Sequence, residues 1–194
     1  MAKVSVMTLL PSLEWKGSRV WLRPPAIDDI DALIAFQRDN HERFAVSDPT
    51  RPDALYTPSF WQDRLRRIDA DVQARRGLYQ LVFAHAAPSR LIGTVIVGGM
   101  TGAPFYACTL GCAIDGAFEG RGLMREALEL TISELFAHWR VHRVQAQHAV
   151  SNTRSAHVLA RLGFAREGLL RQHLRVGDQW EDFAMLARLN EAWQ

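Results

Sequence analysis

Two glycines one residue apart, in Glu119-Gly120-Arg121-Gly122-Leu123-Met124, stand where a β-rich run gives way to a helical one. Glycine lets the backbone turn closely around an anion, and the first amides of a helix point outward with the dipole's positive end behind them. The segment reads as a phosphate cradle, or as only a tight strand-to-helix turn, because Gly-x-Gly alone is a weak signal. A dinucleotide fold is disfavoured: no third glycine follows, and the preceding strand is not the first of the chain. Downstream, Asn152 and Ser155 lie one turn apart at a helix start, so both side chains can face one cleft. Asn152 is equally a good N-cap, and the two roles can coexist. Cys108 and Cys112 fall in one strand, about 13 Å apart at ~3.3 Å per residue, and cannot pair with each other. His138, His142, His148 and His157 show no metal constellation, so no metal is expected.

These residues need a frame. Val20-Trp21-Leu22-Arg23 reads as a first strand stopped by Pro24-Pro25, followed by a helix from Asp28 to about Asn40 whose apolar face is Ile30, Leu33, Ile34 and Phe36. His41 to Pro58 looks irregular, punctuated by Pro49, Pro52 and Pro58. Thr57 as N-cap and Pro58 at the first helical position open a second helix carrying Trp61, Leu65, Ile68 and Val72. Leu78 to His85 and Leu91 to Met100 form a hairpin about Pro88-Ser89, and Tyr106 to Ile114 is a further strand. Gly122 to about Arg140 is the central helix, Arg143 to Val150 a strand, and Asn152 to Leu162 a short helix ended by Gly163. Ala165 to Val176 and Gln179 to Leu189 make a last hairpin about Gly177-Asp178. This order implies an α/β layer structure with a mixed sheet, in which the strands flanking the central helix are parallel. Ligands in such sheets collect beyond the carboxyl ends of the parallel strands, where the glycine loop lies.

With 194 residues, 48% of them hydrophobic, the chain is sized for a single domain over residues 1–194. A net charge of only +2 gives no case for DNA binding, and no apolar run approaches a membrane span. Val4 to Leu10 is too short and too interrupted for a signal core, and two thiols without a disulfide framework fit a reducing cytoplasm.

Four segments carry a family resemblance: Thr57-Pro58-Ser59-Phe60-Trp61-Gln62-Asp63-Arg64-Leu65, Ala107-Cys108-Thr109-Leu110-Gly111, Glu119 through Leu128, and Asn152-Thr153-Arg154-Ser155 leading to Leu159 through Gly168. In this order and spacing the chain resembles the GNAT acetyltransferases, and within them the RimJ-type ribosomal-protein-alanine N-acetyltransferases. Ala117 departs from the pattern, standing where that superfamily often has Arg or Gln. The resemblance implies a mostly antiparallel twisted sheet flanked by helices, with a parallel pair splayed at the coenzyme site, and acetyl-CoA as acyl donor. It implies that Leu110, Gly111, Cys112, Ala113 and Ile114 bind the pantetheine arm, and that an amide near Cys112 or Ala113 polarises the thioester. Glu119, Gly120, Arg121, Gly122, Leu123 and Met124 would hold the pyrophosphate, Asn152 the pantetheine, and Ser155 the leaving thiolate.

Some relatives carry a Glu where this chain has Thr109, which leaves Glu167, Asp115, Glu119, His173 and Asp182 as candidate bases. Direct transfer is expected over an acyl-Cys112 route, because no His is placed beside that thiol by sequence. Phe44, Trp61, Tyr106 and His173 are candidates for the acceptor cleft, although aromatics at such spacing also serve the core. The acceptor implied is a protein N-terminus, such as that of a ribosomal protein, with ribosome association and a monomer or homodimer. A small amine acceptor (antibiotic, polyamine or amino-acid analogue) and a weakly catalytic CoA-binding ribosome factor are the rivals.

Overall fold

Runs rich in β-branched, aromatic and other apolar residues form β1 (Trp15–Lys16), β2 (Val20–Arg23), β3 (Leu78–Ala84), β4 (Ala87–Gly98), β5 (Ala107–Ile114), β6 (Arg143–Ala149), β7 (Ala165–Val176) and β8 (Gln179–Leu189). The helices are α1 (Ile30–Asp39), α2 (His41–Ala45), α3 (Pro58–Gln73), α4 (Leu123–His138) and α5 (Thr153–Arg161). This computed structural model describes residues 10–46 and 52–193, so the stretch before Leu10 and the expected punctuation at Pro49 lie outside the described residues. The strands form one eight-stranded sheet in the order β1-β2-β3-β4-β5-β6-β8-β7, antiparallel except between β5 and β6.

Strand alternation assigns the faces. A Cβ on Gly93 would lie 2.9 Å from Met124 of α4, so the side of β4 bearing Gly93, Val95 and Val97 faces that helix. Their register partners Ile114, Cys112 and Leu110 share the face. α1 and α3 cover the other side of β3 and β4, which is why β3 is buried along its whole length. On β6 Val144, Ala146 and His148 are buried on one side, while Arg143, Gln145 and Gln147 are half-exposed on the other, where Ala149 at the strand's end is buried as well. α5 packs against β6.

β5 and β6 pair only from Ala107↔Arg143 to Leu110↔Ala146. Beyond that, β5 stays with β4 to Ile114 and β6 stays with β8 to Ala149, so the two strands part into a V at their carboxyl ends.

The sequence expectations hold for α1, α3, the central helix and the last hairpin, with Thr57 accepting a 3.4 Å bond from Phe60 N as the N-cap of α3. Three details differ. A two-residue strand, β1, precedes the expected first strand and folds back on β2 through Trp15↔Leu22. The stretch taken as irregular contains α2 and a 3-10 turn at Asp53–Tyr56, because Phe44 buries against Phe36 and stabilises a helical turn that no local cap marks. The hairpin turn is His85-Ala86 rather than Pro88-Ser89: Ala84 pairs Ala87 while Phe83 pairs Leu91, so Pro88 sits in a bulge that asks no ladder donor of it.

Candidate active site

The glycine loop leaves the tip of β5 and enters α4. Asp115 caps a short 3-10 turn by accepting from Ala117 N at 2.9 Å, and its second oxygen accepts from Arg90 Nη2 at 2.7 Å. Gly116 N donates to Asn40 Oδ1 at 3.0 Å, and Arg43 donates to the Ile114 carbonyl while pairing with Glu119. Gly120 and Gly122 take φ of +71° and +73°, the left-handed region that costs an L side chain about 1–2 kcal/mol. Gly122 then stands as N-cap of α4. Leu123 and Met124 bury their side chains, leaving backbone amides as what they can offer an anion. The Glu119 carboxylate is held by Arg43 and by Arg154 Nη1 at 3.1 Å, so its side chain is engaged in ion pairs.

The register decides which groups of β5 face the V. Asp115 N donates to Ile92 O at 2.8 Å, which makes Asp115–Ile92, Ala113–Thr94 and Gly111–Ile96 the hydrogen-bonded pairs of the β4–β5 ladder. The N–H and C=O of Gly111 and Ala113 therefore turn toward β4 and are not turned into the V. Those of Cys112 turn the other way, into the gap, whereas Leu110 is the last rung to β6 and the Ile114 carbonyl is taken by Arg43. Cys108 is buried, and burial pushes its thiol up to about 12, so it is no nucleophile; Cys112 is exposed.

Across the V, Asn152 Oδ1 accepts from Ser155 N at 3.0 Å as the N-cap of α5. That bond holds the first turn of the helix, Ser155 included, at the open end of β6.

Most expected bases are tied elsewhere. Glu167 forms a two-pronged pair with Arg143, the first residue of β6, at the end of the strands remote from the V. The Arg143 guanidinium holds the Glu167 carboxyl below its usual range, which opposes a base role. Asp115 and Glu119 are in the ion pairs described above. Asp182 Oδ1 accepts from Gln172 N at 2.8 Å and so secures a bulge in β7, where Gln172 takes φ +47°. The bulge brings His173 Nε2 to 2.7 Å from Gln147 Oε1. Gln147 is the first residue of β6 beyond its last pair with β5, so the His173–Gln147 pair stands where the V opens, on the side away from α4.

The aromatic candidates separate in the same way. Trp61 is 1% exposed, with its Nε1 bonded to Leu55 O at 2.9 Å, and Phe44 is 5% exposed against Phe36; both side chains are packed in the core. Tyr106 lies just before β5, at the opposite end from the V, with its ring 4.9 Å from that of Trp193. Only His173 of this group is at the opening. Asn40, Arg43 and Gln147 had no sequence signal, since each acts on a residue brought close only by the tertiary fold. Among the described residues, no three His, Cys, Asp or Glu side chains group to hold a metal.

A left-handed glycine pair opening a helix, beside a split parallel strand pair, sets outward backbone amides next to an open gap between strands. Residues 19–165 match the family model for the acetyltransferase (GNAT) domain, and the chain belongs to that family of acetyl-CoA-dependent N-acetyltransferases. It is 31% identical over 169 residues to the ribosomal protein uS5-alanine N-acetyltransferase of Escherichia coli (strain K12), covering 86% of this chain and 87% of the relative. The ribosomal-protein-S5-alanine acetyltransferase from Vibrio fischeri superposes with a TM-score of 0.89 at 28% identity, over 94% of this chain and 100% of that one. Mycobacterium smegmatis RimJ in complex with CoA-disulfide follows with a TM-score of 0.82 at 23% identity, over 89% of this chain and 82% of that one. The resemblance to RimJ-type enzymes is borne out.

Proposed function

We propose that the protein transfers the acetyl group of acetyl-CoA to the N-terminal α-amine of a ribosomal protein in the cytoplasm. The observation that carries the choice of amine is the engagement of Asp115, Glu119 and Glu167 by arginines, which leaves these carboxylates poorly suited to take a proton. An α-amine, with pKa near 7.7–8.0, is neutral roughly 300 times more often at pH 7 than a Lys amine near 10.4, and so needs the least help. The activity of the uS5-alanine relative supports the same acceptor.

The residues divide the work. The amides of Gly120 to Met124 and the start of α4 would take the pyrophosphate. The Cys112 N–H offers a donor to the thioester oxygen as charge develops there. The neutral amine forms the C–N bond as the C–S bond breaks; the nitrogen loses one proton, and the sulfur regains one from Ser155 Oγ, which solvent then replenishes. His173, with Gln147, accepts the amine's proton and passes it to water.

A turnover screen with acetyl-CoA tests this. CoA release is expected with peptides copying the alanine N-terminus of uS5, and not with the same peptides Nα-blocked. A polyamine or aminoglycoside turned over with higher kcat/KM than every such peptide would refute the acceptor.

A further inference from the structure

Arg19, between β1 and β2, is far in sequence from the glycine loop, yet its side chain is spent on that loop. Nη1 donates to the Arg121 carbonyl at 2.9 Å and Nη2 to the Gly122 carbonyl at 3.3 Å. The remaining guanidinium nitrogen, Nε, donates to Glu126 Oε2 at 2.8 Å, and the Arg19 backbone N–H donates to Glu126 Oε1, also at 2.8 Å. Ser18 Oγ adds a 3.1 Å bond to Glu126 Oε1. The fork is thus fixed by the first turn of α4 and grips the two peptide units that precede it.

The consequence follows from the planar trans peptide, in which the C=O of one residue and the N–H of the next point in opposite directions. Holding the Arg121 carbonyl toward Arg19 turns the Gly122 N–H away from it; the Gly122 carbonyl, which accepts from Glu126 N at 3.2 Å as the first bond of α4, is held a second time by Arg19, and the Leu123 N–H faces away with it. Those two amides belong to the anion cradle. The contact is close: a Cβ on Gly122 would meet Arg19 Nη2 at 3.4 Å. We infer that Arg19 is a positioning residue for the coenzyme, a clamp that aims the Gly122 and Leu123 amides at the pyrophosphate without touching it. This rests on the coenzyme reading of the loop. Arg suits the task because its planar fork bonds two carbonyls and a carboxylate at once, whereas Lys is a point charge that cannot hold the same set.

The test compares wild type, Arg19→Gln and Arg19→Lys by calorimetric titration with CoA and by amide hydrogen exchange. Arg19→Gln is expected to weaken CoA binding about tenfold or more, the scale of one lost charge-assisted hydrogen bond. Exchange at Gly120 to Met124 should accelerate while β7 and β8 keep their protection, and saturating CoA should protect Gly122 and Leu123 in wild type but not in the variant. Arg19→Lys, which keeps the charge, should recover only part of the affinity and covers the case in which Arg19→Gln fails to fold. CoA affinity within twofold of wild type in Arg19→Gln, or full recovery in Arg19→Lys, overturns the clamp. A wild-type protein that binds no CoA defeats the coenzyme reading and this assignment with it. Loop exchange that responds to Arg19→Gln without any loss of CoA affinity defeats the assignment alone.

Discussion

The cap that Asn152 provides and the role the proposed function gives it beside the leaving group can be separated by a pair of substitutions. Its side chain caps α5 through the 3.0 Å bond to Ser155 N, and an N-cap Asn→Ala change costs about 1 kcal/mol. For a domain of this size that is a fall in Tm of roughly 2–4 °C. Asp caps a helix as well as Asn does, so Asn152→Asp should keep the wild-type Tm. It also brings a negative charge toward the reaction. Three residues at ~1.5 Å per residue put that carboxylate within about 5 Å of the Ser155 turn, where the proposed mechanism has the thiolate leave. At an effective dielectric of about 20, two like charges at that distance repel by about 3 kcal/mol, which is roughly a hundredfold in rate. Steady-state turnover with a uS5 N-terminal peptide, alongside thermal melts, gives the readout. The expected pattern is modest losses in both for Asn152→Ala, and an intact Tm with kcat/KM down about a hundredfold for Asn152→Asp. An Asn152→Asp enzyme that turns over like wild type would show that the first turn of α5 does not face the leaving group.

Trp61→Ala should act on stability and not on acceptor recognition. A fully buried Trp replaced by Ala costs about 3–5 kcal/mol, so the melt should fall steeply while the acceptor KM of the folded fraction holds; a raised KM at unchanged Tm would return Trp61 to the cleft. A third expectation concerns acid. Burial pushes the Glu126 carboxyl up, but the backbone N–H and guanidinium of Arg19 and the Ser18 hydroxyl outweigh it and hold the carboxyl below its usual range. Its stabilisation is therefore complete above about pH 4.3 and disappears as pH falls through the depressed value. Melts from pH 6 to pH 3 should show a drop that Glu126→Gln flattens; equal acid sensitivity in the variant would remove Glu126 from the account.

Much of the fold was legible because its signals are local. Thr57 and Pro58 mark the start of α3, Asn152 the start of α5, and Gly163 at φ +76° follows its end; each acts within a few residues along the chain. The glycine loop was legible for the same reason: left-handed φ is a demand that a single residue type meets cheaply. Tertiary pairing settled the rest. Whether Cys112 or Ala113 turns its amide into the V depends on the register against β4, and a slip of one residue would exchange them. Glu167 and Tyr106 were both candidates for the site, and strand direction carries both to the end away from the V. Arg19 shows the limit most plainly. Its hydrogen bonds reach residues 102 and 103 positions away, and no pattern read along the chain reports which guanidinium will close on which carbonyl. The sequence by itself determined most of the elements and the left-handed glycine loop, since these follow from short-range backbone chemistry, and it determined the kind of coenzyme only through the resemblance that its four segments carry. The tertiary structure alone decided which amide of β5 faces the gap, which carboxylates are spent in ion pairs and which histidine stands at the opening, because each depends on contacts between elements that meet only in the assembled sheet.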